Sequence, residues 1–430
     1  FAAVLCSLAA LAASGQNLRD EIAANPGKSG GVYYVYTYDN PVLTPAPKGY
    51  KPFYISHYGR HGSRWLLHDS EYDEVMAVFR AADAANAFTE RGREVYGRVK
   101  RVYDDGINRG GDLSPLGAEQ HREIAGRMYR NFPEVFRSGA VVDAQATLVV
   151  RCVLSMAAFC ERLKELNPRL EVSRTAGRRT TRYLNFYSKP TNPTLSREYL
   201  DFIEKGGWQE EYERIGDRFV RPDRLMSELF ADGEFVRTID AQKLMKGLFY
   251  FAADMQNVGL GISFYDLFTT DELYGLNVYD NYKYYVIRGP SPLNKRFPQY
   301  YAKALLEDFL TRADRAVEGG AVSADLRFGH DGNLMTFVSL LQFEGCDVVE
   351  SDPEKIAQMW PLYRISPMAA NIQLVFYRKK AADDVLVKFL YNEREVRIPV
   401  ASDLAPYYRW NDVRDFYRNV MENLPDPAAK

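Results

Sequence analysis

The sequence has few cysteines and histidines and no excess of either charge. Its 430 residues include 4 Cys and 5 His, and 55 Lys and Arg stand against 57 Asp and Glu, for a net charge of -2. Such a chain lacks the overall positive field that binding to nucleic acid or to an anionic membrane usually needs. We therefore expect no nucleic-acid partner, and any anion site must be local.

The few cysteines and histidines also argue against a metal or redox motif. No CxxC pair occurs, which excludes a zinc ribbon or a thioredoxin site. Cys152 and Cys160 lie on one predicted helix, about 12 Å apart by helical rise, which is too far for a disulfide. His57 and His61 have the spacing of helical zinc ligands, but Gly59 breaks the helix that such ligands need. We expect no bound metal and a chain stabilised by its core.

Long apolar runs are absent beyond the first 15 residues. FAAVLCSLAALAASG is uncharged, ends in small residues and is too short to span a bilayer, which is typical of the apolar part of a secretory signal. We predict a signal segment over 1–15, export to the periplasm or the medium, and no stable membrane insertion. An ordered N-terminal helix is the alternative interpretation.

The rest of the chain alternates between predicted strands and helices. Strands are predicted at GGVYYVYTY (30–38), FYIS (53–56), ATLVV (146–150) and ADLRF (324–328), and an antiparallel pair near the C-terminus. Strand-then-helix repetition predicts an α/β core with a mostly parallel, doubly wound sheet and helices on both faces. Between 173 and 280, Tyr, Arg, Pro and mixed charges dominate, so we predict an inserted, mainly helical cap there and assign 16–172 and 281–430 to the core.

Three predicted strands end in unusual polar residues. Arg60, His61 and Arg64 follow the first strand, Arg151 follows the second, and His330 and Asp331 follow the third. In open α/β sheets, ligands bind beyond the carboxyl ends of the strands. The sequence therefore predicts that these side chains share one site.

The residue types at these strand ends fit phosphoryl transfer. A neutral His61 can attack phosphorus while Arg60 and Arg64 hold the phosphoryl oxygens, and Asp331 can protonate a leaving alkoxide. Taken alone, the first group also fits a solvated basic turn, and the Asp of the third also fits a helix cap. The other two candidates, His68 and His121, are interpreted as structural residues at exposed helix positions.

Four ordered motifs carry a family resemblance. SHYGRHGSR, DLSPLGAEQH, VVRCVLSMAAF and LRFGHDGNL occur in this order. They resemble the histidine acid phosphatase branch of the histidine phosphatase superfamily, and the run from about Gly31 to Pro399 is similar to bacterial multiple inositol polyphosphate phosphatases and histidine acid phytases. The resemblance implies an α/β core with a helical cap and no metal or other cofactor.

The resemblance also implies a role for each motif residue. His61 would form a phosphohistidine, Asp331 would donate the proton, and the phosphoryl group would be bound by Arg60, Arg64, Arg151 and His330. The chain departs from the family pattern at two points. Many phytases have Pro where this chain has Leu66, and the animal inositol polyphosphate enzymes have His-Ala-Glu where this chain has His330-Asp331-Gly332.

A basic stretch at the start of the predicted cap suggests the substrate class. Residues 173–189 contain no acidic residue and carry five cations. We expect four of them, Arg178, Arg179, Arg182 and Lys189, to contact the distal phosphates of an inositol polyphosphate such as phytate. A solvated basic face is the alternative interpretation. At the level of the whole protein, the alternatives are a broad-specificity or sugar-phosphate acid phosphatase and a non-catalytic sugar-phosphate-binding protein.

Overall fold

The computed structural model describes residues 17–190, 192, 194–379 and 384–427. The predicted signal segment over 1–15 therefore lies outside the described residues. No helix in the described part of the chain is long and apolar enough to cross a membrane.

One mixed sheet forms the centre of the described structure, in the order β3-β2-β4-β1-β5-β6-β7, with β8 paired to β6. Strands β3, β2, β4 and β1 are parallel neighbours, and β5 and β6 continue the sheet in antiparallel pairings. The strands are β1 (Tyr50–Arg60), β2 (Val141–Ala146), β3 (Glu171–Ala176), β4 (Val322–Gly329), β5 (Asn371–Lys379), β6 (Val385–Tyr391), β7 (Arg394–Glu395) and β8 (Tyr407–Arg409).

Helices surround this sheet and build the cap. They are α1 (Leu18–Ala24), α2 (Asp69–Ala84), α3 (Glu90–Gly106), α4 (Pro115–Asn131), α5 (Val150–Leu166), α6 (Arg178–Leu184), α7 (Arg197–Lys205), α8 (Trp208–Phe219), α9 (Asp223–Leu229), α10 (Gly233–Val236), α11 (Ala241–Val258), α12 (Thr270–Arg288), α13 (Phe297–Val317), α14 (Asp331–Leu340), α15 (Pro353–Met359), α16 (Leu362–Ile365) and α17 (Trp410–Glu422). Capping follows the sequence signals: the Ser114 hydroxyl accepts the Gly117 N–H at the start of α4, with Pro115 in the first turn.

The sheet has a buried core on each face, as the doubly wound prediction requires. Side chains alternate along β1, so Tyr54 and Tyr58 join the core that extends into the cap, whereas Ile55 joins the core under α4 and α5. Helices α13 and α14 cover the first face. The predicted fold class is confirmed, with four parallel strands and an antiparallel extension.

The strand predicted at 30–38 is wrong. Residues Pro26–Tyr33 form a 3-10 helix, and the chain after it is extended but unpaired with the sheet. Its backbone groups are bound by side chains instead: the carbonyl of Val32 accepts from Arg60, and that of Tyr33 accepts from Asn257. The β-forming residues here therefore pack the segment between the core and the cap without a strand partner.

Two further boundaries differ from the predictions. The second strand is Val141–Ala146, and most of the ATLVV run lies beyond it, with Leu148 and Val150 exposed. Arg151 therefore lies in the first turn of α5 and does not directly follow the strand. Strand β3 pairs with β2, so residues 173–176 belong to the sheet although they were predicted to lie in the cap.

Candidate active site

The three predicted groups meet at one edge of the sheet. Arg60 at the end of β1 lies opposite Gly329 at the end of parallel β4, so His61 and His330 leave the sheet side by side. Their ring centroids are 5.9 Å apart. On the other side of β4, β2 ends level with Phe328 and the chain turns into α5, which carries Arg151.

His61 is held by its backbone and by its own ring. Its N–H donates to the Gly329 carbonyl at 3.0 Å, and its carbonyl accepts from Ala369 at 3.1 Å. The ring atom Nδ1 lies 2.9 Å from the Gly62 carbonyl oxygen, so Nδ1 carries the proton and Nε2 keeps its lone pair. Nε2 is therefore the ring nitrogen that can act as a nucleophile.

Burial and charge keep the His61 imidazole neutral. The side chain is 1% exposed. Burial, followed by the positive charges of Arg151, Arg60 and Arg64, lowers its pKa well below the ordinary value. A neutral imidazole is therefore present even in acid.

Gly62 and Gly117 allow the loop that follows His61 to lie close to α4. A Cβ atom on Gly62 would lie 2.2 Å from the Gly117 carbonyl oxygen, so no larger residue fits. The Gly62 N–H donates to the Ser155 hydroxyl of α5 at 3.1 Å, and the Ser63 N–H donates to Gln120 of α4 at 2.8 Å. Both helices thus fix the loop that follows His61.

Arg60 is fixed before any phosphate binds. It is fully buried, and its Nη1 donates to the carbonyls of Val32 and Ser366, both at 2.7 Å. Its Nη2 lies 3.1 Å from Oδ2 of Asp331. Burial lowers the Arg60 pKa to about 10, against the opposing effect of Asp331, so the guanidinium is charged in acid and at neutral pH.

Arg64 and Arg151 are, with Arg60, the cations that act on His61. Arg64 donates to the Trp65 carbonyl at 2.7 Å and lies over the Tyr33 ring, 5.0 Å from its centroid. Burial disfavours its charge, but Tyr33 and the buried Asp254 of α11 outweigh this effect and raise its pKa. Among the described residues, the Nε atoms of Arg60, Arg64 and Arg151 have no hydrogen-bond partner. These N–H groups are available to phosphoryl oxygens.

His330 is oriented by β1 and by the β2–α5 loop. Its N–H donates to the Tyr58 hydroxyl at 3.1 Å, and its ring Nε2 lies 3.2 Å from the Thr147 hydroxyl. Burial and the charge of Arg151 lower its pKa to about 4. Above that pH, His330 offers a neutral ring N–H to a phosphoryl group.

Asp331 faces the arginines as the first residue of α14. His330 occupies the capping position, and Asp331 Oδ1 accepts the Gly332 N–H at 2.6 Å. Burial raises the Asp331 pKa, but Arg60 and Arg64 outweigh burial and lower it to about 2. The carboxylate is thus ionised, and its side chain is 24% exposed.

A further cation, which no sequence pattern predicts, lies beside Asp331. Arg288 ends helix α12, its Nη1 donates to the Tyr199 hydroxyl at 2.7 Å, and its guanidinium lies 3.8 Å from the Tyr187 ring centroid. A Cβ on Gly332 would lie 3.1 Å from Arg288 Nε. A lone arginine at the end of a helix gives no local signal, since only the tertiary fold brings it to Asp331.

The predicted cap cations lie elsewhere. Arg178, Arg179 and Arg182 are exposed on α6, and Lys189 pairs with Glu204 at 2.9 Å. The inner face of α6 binds the core, where the Thr180 hydroxyl donates to the carbonyl at the end of β2. In the described structure, no hydrogen bond or ion pair joins these four side chains to His61 or Asp331.

The prediction of an exposed position is correct for His68 and wrong for His121. His121 on α4 is 1% exposed and packs 5.5 Å from the Phe328 ring, and His57 on β1 is fully buried at 5.4 Å from the same ring. Within the described ranges, no group of three or more His, Cys, Asp or Glu side chains could hold a metal ion.

Solved structures with the same architecture include two kinds of enzyme. A multiple inositol polyphosphate phosphatase from Bifidobacterium longum, in complex with inositol hexasulfate, matches at 20% identity and a TM-score of 0.76, over 89% of this chain and 96% of that chain. The phytase from D. castellii matches at 14% identity and a TM-score of 0.64, over 92% and 85% of the two chains. At these identities, the likeness shows a shared fold.

Comparison of the sequences assigns the family. No curated protein matches this chain significantly. The profile of the histidine phosphatase superfamily (branch 2) matches residues 60–392, which begin at Arg60 and include His61, Arg64 and the His330-Asp331 pair. The chain therefore belongs to branch 2 of the histidine phosphatase superfamily and is a phosphatase.

Proposed function

We propose that the protein hydrolyses phytate and other inositol polyphosphates through a phosphohistidine on His61. The observation that carries the mechanism is the neutral, buried imidazole, with Nδ1 bound to the Gly62 carbonyl and with Arg60, Arg64 and Arg151 around it. This arrangement binds a phosphoryl group and presents Nε2 to phosphorus.

In the first step, His61 Nε2 attacks phosphorus and the bond from phosphorus to the ester oxygen breaks. The arginines and His330 hold the three non-bridging oxygens, and Asp331 gives its proton to the departing alkoxide. Asp331 must be protonated for this step. A bound phosphoryl group favours protonation, because it neutralises the arginines that lower the Asp331 pKa.

In the second step, water attacks phosphorus and the N–P bond breaks. The Asp331 carboxylate, now ionised, takes a proton from that water, and His61 leaves as a neutral imidazole. Inorganic phosphate is released and Asp331 is again protonated. A protein that only bound sugar phosphates would need the arginines but neither Nε2 nor this carboxylate.

Arg288 supports a substrate with more than one phosphate. It adds a fourth arginine beside the three around His61, and it lies on the Asp331 side of the site, where the leaving group departs. A small monophosphate has no group for this cation, whereas an inositol polyphosphate places a second phosphate next to the one removed. The fold shared with a phosphatase solved with inositol hexasulfate agrees with this assignment.

Product analysis tests the proposed substrate. Purified protein is incubated with phytate at pH 5, and the products are separated by anion-exchange chromatography, with His61→Ala as the matched inactive control. We expect a ladder of lower inositol phosphates and free phosphate from the wild type only. Hydrolysis of sugar monophosphates with phytate left intact would instead favour a sugar-phosphate acid phosphatase.

We also propose export, on the basis of residues 1–15. Expression of the chain, preceded by an initiator Met, in a Gram-negative host should give a processed protein in the periplasmic fraction. Mass spectrometry of its N-terminus should locate cleavage near Gly15. Full-length protein confined to the cytoplasm would contradict export.

A further inference from the structure

Asn257, in the last turn of cap helix α11, binds two separate pieces of backbone beside the phosphate site. Its Oδ1 accepts from the Ser63 hydroxyl at 2.7 Å, and its Nδ2 donates to the Tyr33 carbonyl at 2.9 Å. Asn257 and Ser63 are both fully buried, so water cannot replace a partner that is lost. One cap side chain thus joins the loop that follows His61 to the end of the 3-10 helix Pro26–Tyr33.

The direction of each hydrogen bond in this group follows from the backbone. The Ser63 N–H can only donate, so the Gln120 atom that faces it at 2.8 Å is Oε1. Gln120 Nε2 then donates to the Ser63 hydroxyl oxygen at 2.9 Å, which leaves the hydroxyl proton for Asn257 Oδ1. Asn257 Nδ2 faces a carbonyl, which can only accept. Core helix α4, the loop and the cap are therefore joined by one consistent set of donors and acceptors.

The polar groups of Ser63 and Asn257 all have partners. The Ser63 carbonyl accepts the Ser114 N–H at 2.9 Å, in addition to the bonds of its N–H and hydroxyl. Asn257 Nδ2 also lies 3.4 Å from Oδ1 of Asp254, one turn earlier on α11. Removal of the Asn257 amide would therefore leave a buried hydroxyl and a buried carbonyl unpaired, and the two segments would have to move to find new partners.

The two segments that this amide holds carry or support two arginines of the site. Ser63 directly precedes Arg64. Tyr33 packs on Arg64, with the guanidinium 5.0 Å from the ring centroid, and the carbonyl of Val32 accepts from Arg60 Nη1 at 2.7 Å. The separation of Arg60 and Arg64 therefore depends on how these two segments are held together.

We propose that Asn257 is a positioning residue that fixes the spacing of Arg60 and Arg64 around the phosphoryl group. The inference rests on the part of the proposed function in which these arginines hold the phosphoryl oxygens. Both arginines act on the phosphoryl group and not on the leaving group, so loss of Asn257 should weaken the binding of all phosphate esters, and of inorganic phosphate, by a similar factor. Loss of Arg288, in contrast, should mainly affect phytate.

Asn257→Leu tests this role, because leucine has a similar volume but forms neither hydrogen bond. At pH 5, KM for p-nitrophenyl phosphate, KM for phytate and the Ki of inorganic phosphate should each rise about tenfold. Asn411→Leu, at an exposed position in the first turn of α17, should leave all three values unchanged. A purely structural residue would lower Tm and the fraction of active enzyme, and hence the apparent kcat, with KM and Ki at their wild-type values. That result would overturn the proposal.

Asn257→Asp tests whether the hydrogen bonds, and not the packing, cause the effect. At pH 5 a buried acid is neutral, so this side chain can accept from Ser63 and donate its O–H to Tyr33. Burial raises the pKa of the adjacent Asp254 to about 8, so the two acids do not repel each other at that pH. The Ki of phosphate should stay within about threefold of the wild-type value. A Ki as high as that of Asn257→Leu contradicts the proposal.

Ser63→Ala removes the same bond from the other side and tests the role even if Asn257→Leu does not fold. It should raise the Ki of phosphate, and an unchanged value contradicts the proposal. In the double variant with Asn257→Leu, the rise should be smaller than the product of the two single effects, because both substitutions delete one shared bond. Fully multiplicative effects would mean that the two residues act independently.

Arg64→Ala distinguishes failure of this inference from failure of the proposed function. It should raise the Ki of phosphate at least as much as Asn257→Leu does. If the Ki is unchanged in Arg64→Ala, the phosphate-binding role of this arginine is itself wrong. If Arg64→Ala raises the Ki and Asn257→Leu does not, only the role of Asn257 is wrong.

Discussion

The Arg60 guanidinium lies 3.1 Å from the Asp331 carboxylate, so the proposed proton donor and a proposed phosphate-binding residue form one ion pair. Against the effect of burial, Arg60 and Arg64 hold the Asp331 pKa at about 2, below its ordinary value. Once phosphate has left, Asp331 loses the proton that it gained from water, so we expect the proton for the next leaving group to enter with the substrate, as the monoanion of the phosphate ester.

The low pKa of Asp331 determines how kcat/KM should depend on pH. A phosphate ester loses its second proton near pH 6. Above that pH, Asp331 is ionised and the ester is a dianion, so the complex lacks the proton, and kcat/KM for an alkyl monophosphate should fall about tenfold per pH unit. On the acid side, burial and Arg151 lower the His330 pKa to about 4, so half of His330 is protonated at that pH. A pH-rate profile that rises from pH 6 to 8 would contradict this assignment.

Asp331→Asn separates proton donation from binding. The amide cannot protonate an alkoxide, so kcat for an alkyl phosphate such as phytate should fall about a hundredfold or more, whereas an aryl phosphate with a good leaving group should lose far less. Steady-state kinetics on phytate and p-nitrophenyl phosphate measure the difference. Equal losses on both substrates would leave Asp331 with a structural role at the start of α14.

His61→Ala tests the covalent intermediate. Turnover should fall by at least about a thousandfold, while the arginines still bind inorganic phosphate. Acid-quench trapping with labelled substrate should yield an acid-labile phosphoenzyme in the wild type and none in the variant. His68→Ala is the control, since His68 is exposed at the start of α2. Full activity in His61→Ala, or wild-type activity lost on adding a chelator, would favour a metal site instead.

The strand-end residues could be identified from the sequence because parallel strands finish at a common edge. Arg60, His61 and His330 each follow an apolar strand closely, and the structure places them together. Arg288 could not be found in this way, because it reaches Asp331 through a helix that begins in the cap. The segment at 30–38 misled the strand prediction because aromatic and β-branched residues also fill an interface between core and cap.

The cap arginines show the limit of charge patterns. A run of cations indicates an anion site only if the fold turns it toward one, and α6 directs Thr180 and Thr181 inward and its arginines outward. We therefore expect the cluster to act on a substrate through long-range attraction at most, whereas Arg288 lies beside Gly332 and Asp331.

Arg288→Met should raise KM for phytate about tenfold, because a half-buried cation beside Asp331 is lost. The rise in KM for p-nitrophenyl phosphate should be smaller. Reversal of Arg178, Arg179 and Arg182 to Glu should raise KM for phytate and make it less salt-sensitive, since each exposed contact contributes on the order of 1 kcal/mol or less. KM values for both substrates at low and high salt test both variants. If the reversal affects both substrates alike, the cluster is structural.

Two buried histidines, His57 and His121, should limit the stability of the protein in acid. Both histidines lie close to Gly59, which precedes Arg60 in β1. A Cβ atom on Gly59 would lie 2.8 Å from His57 Cε1 and 3.7 Å from His121 Cε1. Burial lowers the pKa of His57 well below 6.5, and that of His121 to about 3, so both stay neutral in the folded state.

Their contribution to stability is complete above pH 6.5 and is lost as the pH falls, because the unfolded chain then binds protons that the folded chain excludes. For His121, the loss between pH 7 and pH 4.5 amounts to about 3 kcal/mol. In urea unfolding, the free energy of unfolding of His121→Phe should fall by correspondingly less between pH 7 and pH 4.5, whatever its value at pH 7. The control His68→Gln should lose as much as the wild type. Equal losses in wild type and His121→Phe would mean that this histidine is already protonated in the folded protein, and the acid limit of the enzyme would then have to come from its carboxylate pairs.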